Sequence, residues 1–117
     1  MLDKNIKLIE LWGSEIWIEI SVHAFKRKRE RDILLSLVFN DIKSAEEQLG
    51  EIKRGDTFVI IDSFANISIV GKVEDFNKIR IITVVNKGKS FVPKNLHDKI
   101  IVLIDKKNIF DIIKLEI

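Results

Sequence analysis

Hydrophobic and polar residues alternate with a period of two along several short segments of the chain, which is typical of half-buried β-strands. The longest such segment is 15–25, where one face carries Ile16, Ile18, Ile20, Val22 and Ala24, and the other carries Trp17, Glu19, Ser21, His23 and Phe25. Runs rich in β-branched residues predict further strands at 5–11, 57–62, 67–76, 79–86, 100–105 and 109–116. Gly71 interrupts one of them and predicts either a β-bulge or a barrel corner there.

One short α-helix is predicted at about residues 44–50. Ser44 and Glu47 have the spacing of a capping box, in which each side chain bonds a free backbone N–H of the first helical turn. Gly50 is a typical helix stop.

Turn signals recur every eight to twelve residues, and Gly55-Asp56 before a β-branched run is a common entry to a strand in small barrels. The sequence therefore predicts a mainly β fold, a small barrel or sandwich of about seven strands with one short α-helix. A length of 117 residues with 46% hydrophobic residues predicts a single domain over 1–117 that buries its own core.

Composition excludes some classes of protein. Cysteine is absent, so neither disulfides nor cysteine metal sites are available. The longest apolar runs have the length of a strand, and no signal peptide is recognisable, so we expect no membrane contact and a cytoplasmic location. A net charge of only +2 indicates that any contact with nucleic acid is local.

Catalytic signals are sparse. The two histidines, His23 and His97, have no third partner at a useful spacing. Gly88-Lys89-Ser90 is similar to the end of a phosphate-binding loop, but that motif needs a glycine where this chain has Thr83. We therefore expect no enzyme activity, no cofactor and no metal site.

The most distinctive segment is a basic run of five cations within six residues. Its cations are Lys26, Arg27, Lys28, Arg29 and Arg31. Between the apolar segments 17–25 and 33–39, the run predicts the tip of a β-hairpin whose second strand is 32–39. A helix over 25–39 is the competing interpretation, because arginine, lysine and leucine are good helix formers.

Clustered cations beside exposed aromatic residues are typical of surfaces that bind nucleic acid. We accordingly expect a non-enzymatic binding module in which the hairpin tip contacts phosphates. Its candidate residues are Lys26, Arg27, Lys28, Arg29, Arg31, Trp17, His23, Phe25, Lys87 and Lys89. Two simpler interpretations stay open: a solvated basic loop that resists aggregation, and core positions for Trp17 and Phe25.

The alternative function is that of an interaction or assembly subunit, or of an inhibitor that docks on an acidic protein surface through strand or hairpin contacts. The chain ends on the apolar segment Leu115-Glu116-Ile117. A terminal apolar strand is also a candidate surface for homo-oligomer formation.

Overall fold

The computed structural model describes residues 6–87 and 99–103. A mainly β fold is confirmed, with six strands and three helices in the described residues. In chain order these are β1 (Ile6–Leu11), β2 (Ser14–Ile20), α1 (Val22–Glu30), α2 (Leu35–Ser44), α3 (Glu46–Leu49), β3 (Thr57–Asp62), β4 (Ile67–Asp75), β5 (Lys78–Val85) and β6 (Lys99–Leu103).

The six strands form one sheet in the order β1-β2-β5-β4-β3-β6. The pairs β2–β5 and β3–β6 are parallel, and the other neighbours are antiparallel. Within the described residues β1 and β6 stand at opposite ends of the sheet, so the sheet is open. The predicted barrel closure is therefore not seen in this part of the chain.

Alternate side chains of each strand point to one face, and this inner face carries the hydrophobic core. Its fully buried side chains include Leu11, Ile16, Ile18, Phe58, Ile60, Ile69, Ile79 and Ile81. The helix α2 contributes Val38, Phe39 and Ile42 to the same core. The opposite, outer face carries Trp17, Glu19, Lys72 and Arg80. On β3 this outer face is buried, at Val59 and Ile61.

Several predicted elements are confirmed. The strand β3 has the predicted bounds, and β1 matches the segment 5–11 within one residue. The register of β4 shifts between Val70 and Gly71, which is the bulge of the two alternatives predicted there. The predicted strand 109–116, Lys89, His97 and the turn at 88–90 lie outside the described residues.

The predicted basic hairpin is wrong, because the chain leaves the sheet after Ile20 and forms α1. Ser21 caps this helix by accepting a hydrogen bond from the Ala24 N–H at 3.0 Å. Arg27 and Glu30 form an ion pair of 2.9 Å, one helical turn apart. The helix-forming charged residues and the Ser21 cap thus favour a helix here, although the alternation of hydrophobic and polar residues continues to Val22 and Ala24.

The predicted strand 32–39 is wrong as well, because α2 occupies most of it. Leu35, Val38, Phe39 and Ile42 have the spacing of one helical face, and the last three are buried. The predicted helix at 44–50 is only the four-residue α3, and its N-cap is Ala45, which has no side-chain capping bond. No described helix is long and apolar enough to cross a membrane.

Candidate functional site

The cations of the basic run lie on α1 and the residue after it, and three of them have partners within the protein. Arg31 donates a hydrogen bond to the Val84 carbonyl. Arg27 pairs with Glu30, and the Lys28 ammonium lies 5.3 Å from the centroid of the Phe25 ring. Lys26 and Arg29 form no ion pair with any described residue. The five charges therefore do not project together as a hairpin tip would present them.

The helix α1 lies beside the second half of β5 and is fixed there at both ends. At its start, Ser21 donates from its backbone N–H to the Ile81 carbonyl at 3.0 Å, and from its hydroxyl to the Ile82 carbonyl at 2.9 Å. At its end, Arg31 binds the carbonyl of Val84. Since these three acceptors follow one another along β5, the helix runs alongside that strand.

A groove opens where the start of α1 meets the outer face of the sheet. Its volume is about 380 Å3. It is lined by Ser21, Val22, His23, Lys72, Glu74, Arg80 and Ile82. We call it the basic groove, because its sheet wall carries two cations and its other wall begins at a helix N-terminus, where the helix dipole is positive.

Lys72 and Arg80 lie directly opposite each other in the β4–β5 ladder. Among the described residues neither of them has an ion-pair partner. The carboxylate of Glu74, in the same groove, lies 3.7 Å from the Lys78 ammonium and is partly neutralised by it. The groove therefore presents two unpaired cations against one compensated carboxylate.

Trp17 lies on the outer face of β2 with 45% of its surface exposed, so it is not a core residue. Its register partner on β5 is Lys78, and Glu19 lies opposite Arg80 one row further along. The Lys78 ammonium is 2.9 Å from the Glu19 carboxylate, and this hydrogen bond and charge raise the pKa of Lys78. The exposed indole is thus one row of side chains away from the cations of the basic groove.

The sequence predicted that Phe25 shares a surface with Trp17 and His23, and this prediction is wrong. It is partly buried and packs against the core. Residues two apart on a helix point in directions about 200° apart, whereas on a strand they share a face. The change from strand to helix therefore turns Phe25 inward and leaves His23 in the groove.

Lys87 is exposed just after β5, and its carbonyl accepts a hydrogen bond from the Ser68 hydroxyl. Lys72 and Arg80 were not among the residues predicted from the sequence. Both occupy polar positions in strands whose residues alternate between buried and less buried. This alternation was the only signal in the sequence that the two side chains lie on the outer face. The pairing that brings them together was not visible in the sequence.

A second polar pair is buried between α2, which carries Asp41, and the end of β3, which carries Asp62. Asp41 and Asp62 are 5% and 7% exposed, and the Asp41 Oδ2 atom is buried without a hydrogen-bond partner among the described residues. Burial, followed by the hydrogen bond and charge of Asp62, raises the pKa of Asp41 to about 8. Asp62 also accepts from the Ala65 N–H at 2.9 Å. This pair joins α2 to the end of β3 and is closed to any substrate.

Within residues 6–87 and 99–103, no three side chains of the metal-ligating types cluster together. No protein-family model matches the chain, and neither the curated proteins nor the solved structures include one that is significantly similar to it.

Proposed function

We propose that this protein is a binding module for single-stranded nucleic acid. The nucleic acid would lie on the outer face of the sheet and in the basic groove. The observation that carries the proposal is the pair Lys72 and Arg80. They are strand partners, without ion pairs among the described residues, beside His23 at the start of α1.

Like charges placed directly opposite each other on a sheet repel and destabilise it. A phosphate between Lys72 and Arg80 would remove that repulsion and accept hydrogen bonds from both side chains. The positive end of α1 adds to the same potential, since anions are stabilised at helix N-termini. Each of these terms favours an anion in the groove.

The cationic surface continues from the groove along α1. His23, Lys26 and Arg29 follow one another at intervals of three residues, so they lie on successive turns toward the solvent side of the helix. Lys26 and Arg29 are both exposed. A phosphate chain entering the groove therefore meets further positive charge along the helix, as a linear polyanion requires.

Trp17 supports a single strand over a duplex. An exposed indole offers a stacking surface to an unpaired base, whereas the bases of a duplex are stacked on each other. Trp17 lies one row from Arg80, which places an aromatic surface next to the phosphate position. The arrangement combines one stacking platform with a basic track.

The test is fluorescence anisotropy of a labelled oligouridine and a labelled oligothymidine at about 50 mM salt, a concentration at which phosphate contacts are strong. We expect saturable binding by the wild-type protein and a clear loss in Lys72→Ser/Arg80→Ser. The matched control, Lys53→Ser/Lys99→Ser, removes two exposed cations outside the groove and should bind as the wild type does.

Two results would contradict the proposal. One is no binding of either oligonucleotide by the wild-type protein at low salt. The other is an equal loss of affinity in the groove variant and in its control, which would mean that only net charge matters. Circular dichroism of each variant establishes that it is folded.

A further inference from the structure

A second, separate cleft opens on the inner face of the sheet, next to the β1–β2 and β4–β5 turns. Its volume is about 490 Å3, within the range of small-molecule sites. Its floor is aliphatic and includes Ile16, Leu49, Ile52, Val73 and Ile79. Trp12, Gly50, Arg54, Asp75 and Phe76 complete the lining. A largely apolar cleft with a few polar groups at its edge is the usual form of a ligand site.

Trp12 is held in place by the backbone and by two hydrogen bonds. Its φ of 57° lies in the left-handed region, which is uncommon for a bulky residue and costs conformational energy. The Trp12 N–H donates to the Glu46 carboxylate at 2.7 Å, and the indole N–H donates to the Glu46 carbonyl at 2.6 Å. Trp12 and Gly13 are the two central residues of the β1–β2 turn, and both have a positive φ, as tight hairpin turns require. The turn and the two hydrogen bonds together fix the position of the indole.

Gly50 leaves the room that the indole occupies. A Cβ atom at position 50 would come within 2.9 Å of Trp12 Nε1, closer than such atoms approach in real proteins. The absence of a side chain at Gly50 and the hydrogen bonds of Glu46 therefore fix the same ring from two sides. The ring stays partly exposed, with one surface toward the cleft.

The edge of the cleft carries Phe76, Arg54 and Asp75. Phe76 is 81% exposed, so its ring is largely open to solvent. Arg54 Nη1 lies 3.5 Å from Asp75 Oδ1, which already accepts from the Phe76 N–H at 2.8 Å. This long contact engages one end of a guanidinium that has five donors, and leaves the others available.

We propose that this cleft binds a nucleoside monophosphate, with Trp12 and Phe76 contacting the base and Arg54 the phosphate. Two aromatic side chains on an aliphatic floor favour a flat ring, since aromatic pairs gain more than their buried area alone provides. Arg54 supplies the donors that a phosphate accepts, and the Asp75 carboxylate accepts from a sugar hydroxyl. The cleft therefore has a counterpart for each of the three parts of this ligand.

The test measures Trp12 fluorescence in a Trp17→Phe background, because the chain has two tryptophans and this change leaves only Trp12 to report. Adenosine monophosphate is the probe, with adenosine and ribose 5-phosphate as partial ligands. We expect saturable quenching by adenosine monophosphate, weaker binding of adenosine, and no quenching by ribose 5-phosphate. Amide NMR shifts at Gly50 and Phe76 are the second measurement.

Two variants separate the contributions of the ring and the charge. Phe76→Leu keeps an apolar side chain but removes the ring, and should weaken binding about fivefold or more. Arg54→Gln should weaken the binding of adenosine monophosphate about tenfold and leave the binding of adenosine unchanged. Its matched control is Lys53→Gln, which removes the neighbouring exposed cation and should bind as the wild type does.

The inference is overturned if neither Trp12 fluorescence nor the amide shifts respond to adenosine monophosphate. It is also overturned if ribose 5-phosphate acts equally well, or if Phe76→Leu and Arg54→Gln both bind as the wild type does. The result is independent of the proposed function. The variant Lys72→Ser/Arg80→Ser should lose oligonucleotide binding while keeping the response of Trp12 to the mononucleotide.

Discussion

Gly71 lies directly opposite Phe58 in the β3–β4 ladder, and the Phe58 ring occupies the space where a side chain at position 71 would be. A Cβ atom there would lie 2.9 Å from Phe58 Cε1 and nearer still to Cζ. Phe58 is fully buried, so its ring cannot move into solvent. The missing side chain of one strand thus makes room for the largest fully buried side chain of its neighbour.

Gly71→Ala should therefore destabilise the protein by overpacking, by about 1–3 kcal/mol. Urea unfolding followed by circular dichroism measures the loss. The loss in the double variant Gly71→Ala/Phe58→Leu should be smaller than the sum of the two single losses, because the smaller side chain makes room for the new methyl group. Strictly additive losses in the double variant would show that the two positions are not coupled.

The stability of the protein should depend on pH through Asp41. Its pKa is raised from 3.8 to about 8 in the folded protein, so the folded state holds a proton that the unfolded state has released. This contribution to the free energy of unfolding is complete below pH about 4 and is lost as pH rises toward about 8. The side chain of Asp41→Asn is neutral at every pH, so this variant should not show that loss.

The measurement is the difference in free energy of unfolding between wild type and Asp41→Asn across this pH range. The variant should gain stability relative to the wild type as pH rises, with the largest gain above pH about 8. Asp32→Asn, an exposed carboxylate, is the matched control and should show no such trend. A constant difference between Asp41→Asn and wild type would contradict the raised pKa.

Ser21→Ala should loosen the start of α1. It removes the capping hydrogen bond to the Ala24 N–H and the bond to the Ile82 carbonyl. Loss of an N-cap costs about 1 kcal/mol of stability, which chemical denaturation can measure. Ser36→Ala, at an exposed position of α2, is the control and should cost nothing. If both variants lose the same stability, the cap is not the cause.

Salt dependence should distinguish stacking from charge in oligonucleotide binding. Lys72→Ser/Arg80→Ser should reduce the slope of log affinity against log salt by about 1.4, since each phosphate contact to a single strand contributes about 0.7. Trp17→Ala should lower the affinity and leave that slope unchanged, whereas Trp17→Phe should keep most of the affinity. A change of slope in Trp17→Ala would contradict the stacking role.

The sequence predicted those strands that have a clear alternation of hydrophobic and polar residues or a glycine that marks a turn or a bulge. β3 begins after Gly55, whose φ of 92° is the conformation that its turn signal predicts, and β4 has its irregularity at Gly71. The strand predicted over 15–25 was too long because the alternation of hydrophobic and polar residues continues into the first turn of α1. The cap at Ser21 was a competing signal that outweighed it.

The candidate site was less predictable, because it depends on register. Asp75 pairs with Lys78, and a regular hairpin continued from that pair would place Lys72 opposite Ile81. An irregularity between Val73 and Asp75 shifts the pairing by one residue, so that Lys72 instead lies opposite Arg80. A second long-range step, the docking of α1 against β5, brings His23 to the same place. Neither follows from local residue patterns.

The two attachments of α1 to β5 bear on how fast a ligand can associate. A helix joined to its strand through Ser21 at one end and Arg31 at the other has little freedom to swing, so both walls of the groove keep their spacing in the empty protein. If the proposed oligonucleotide binding occurs, we expect no slow rearrangement of the groove to precede it. We expect association rates governed by diffusion and by electrostatic attraction between a negatively charged strand and this end of the sheet.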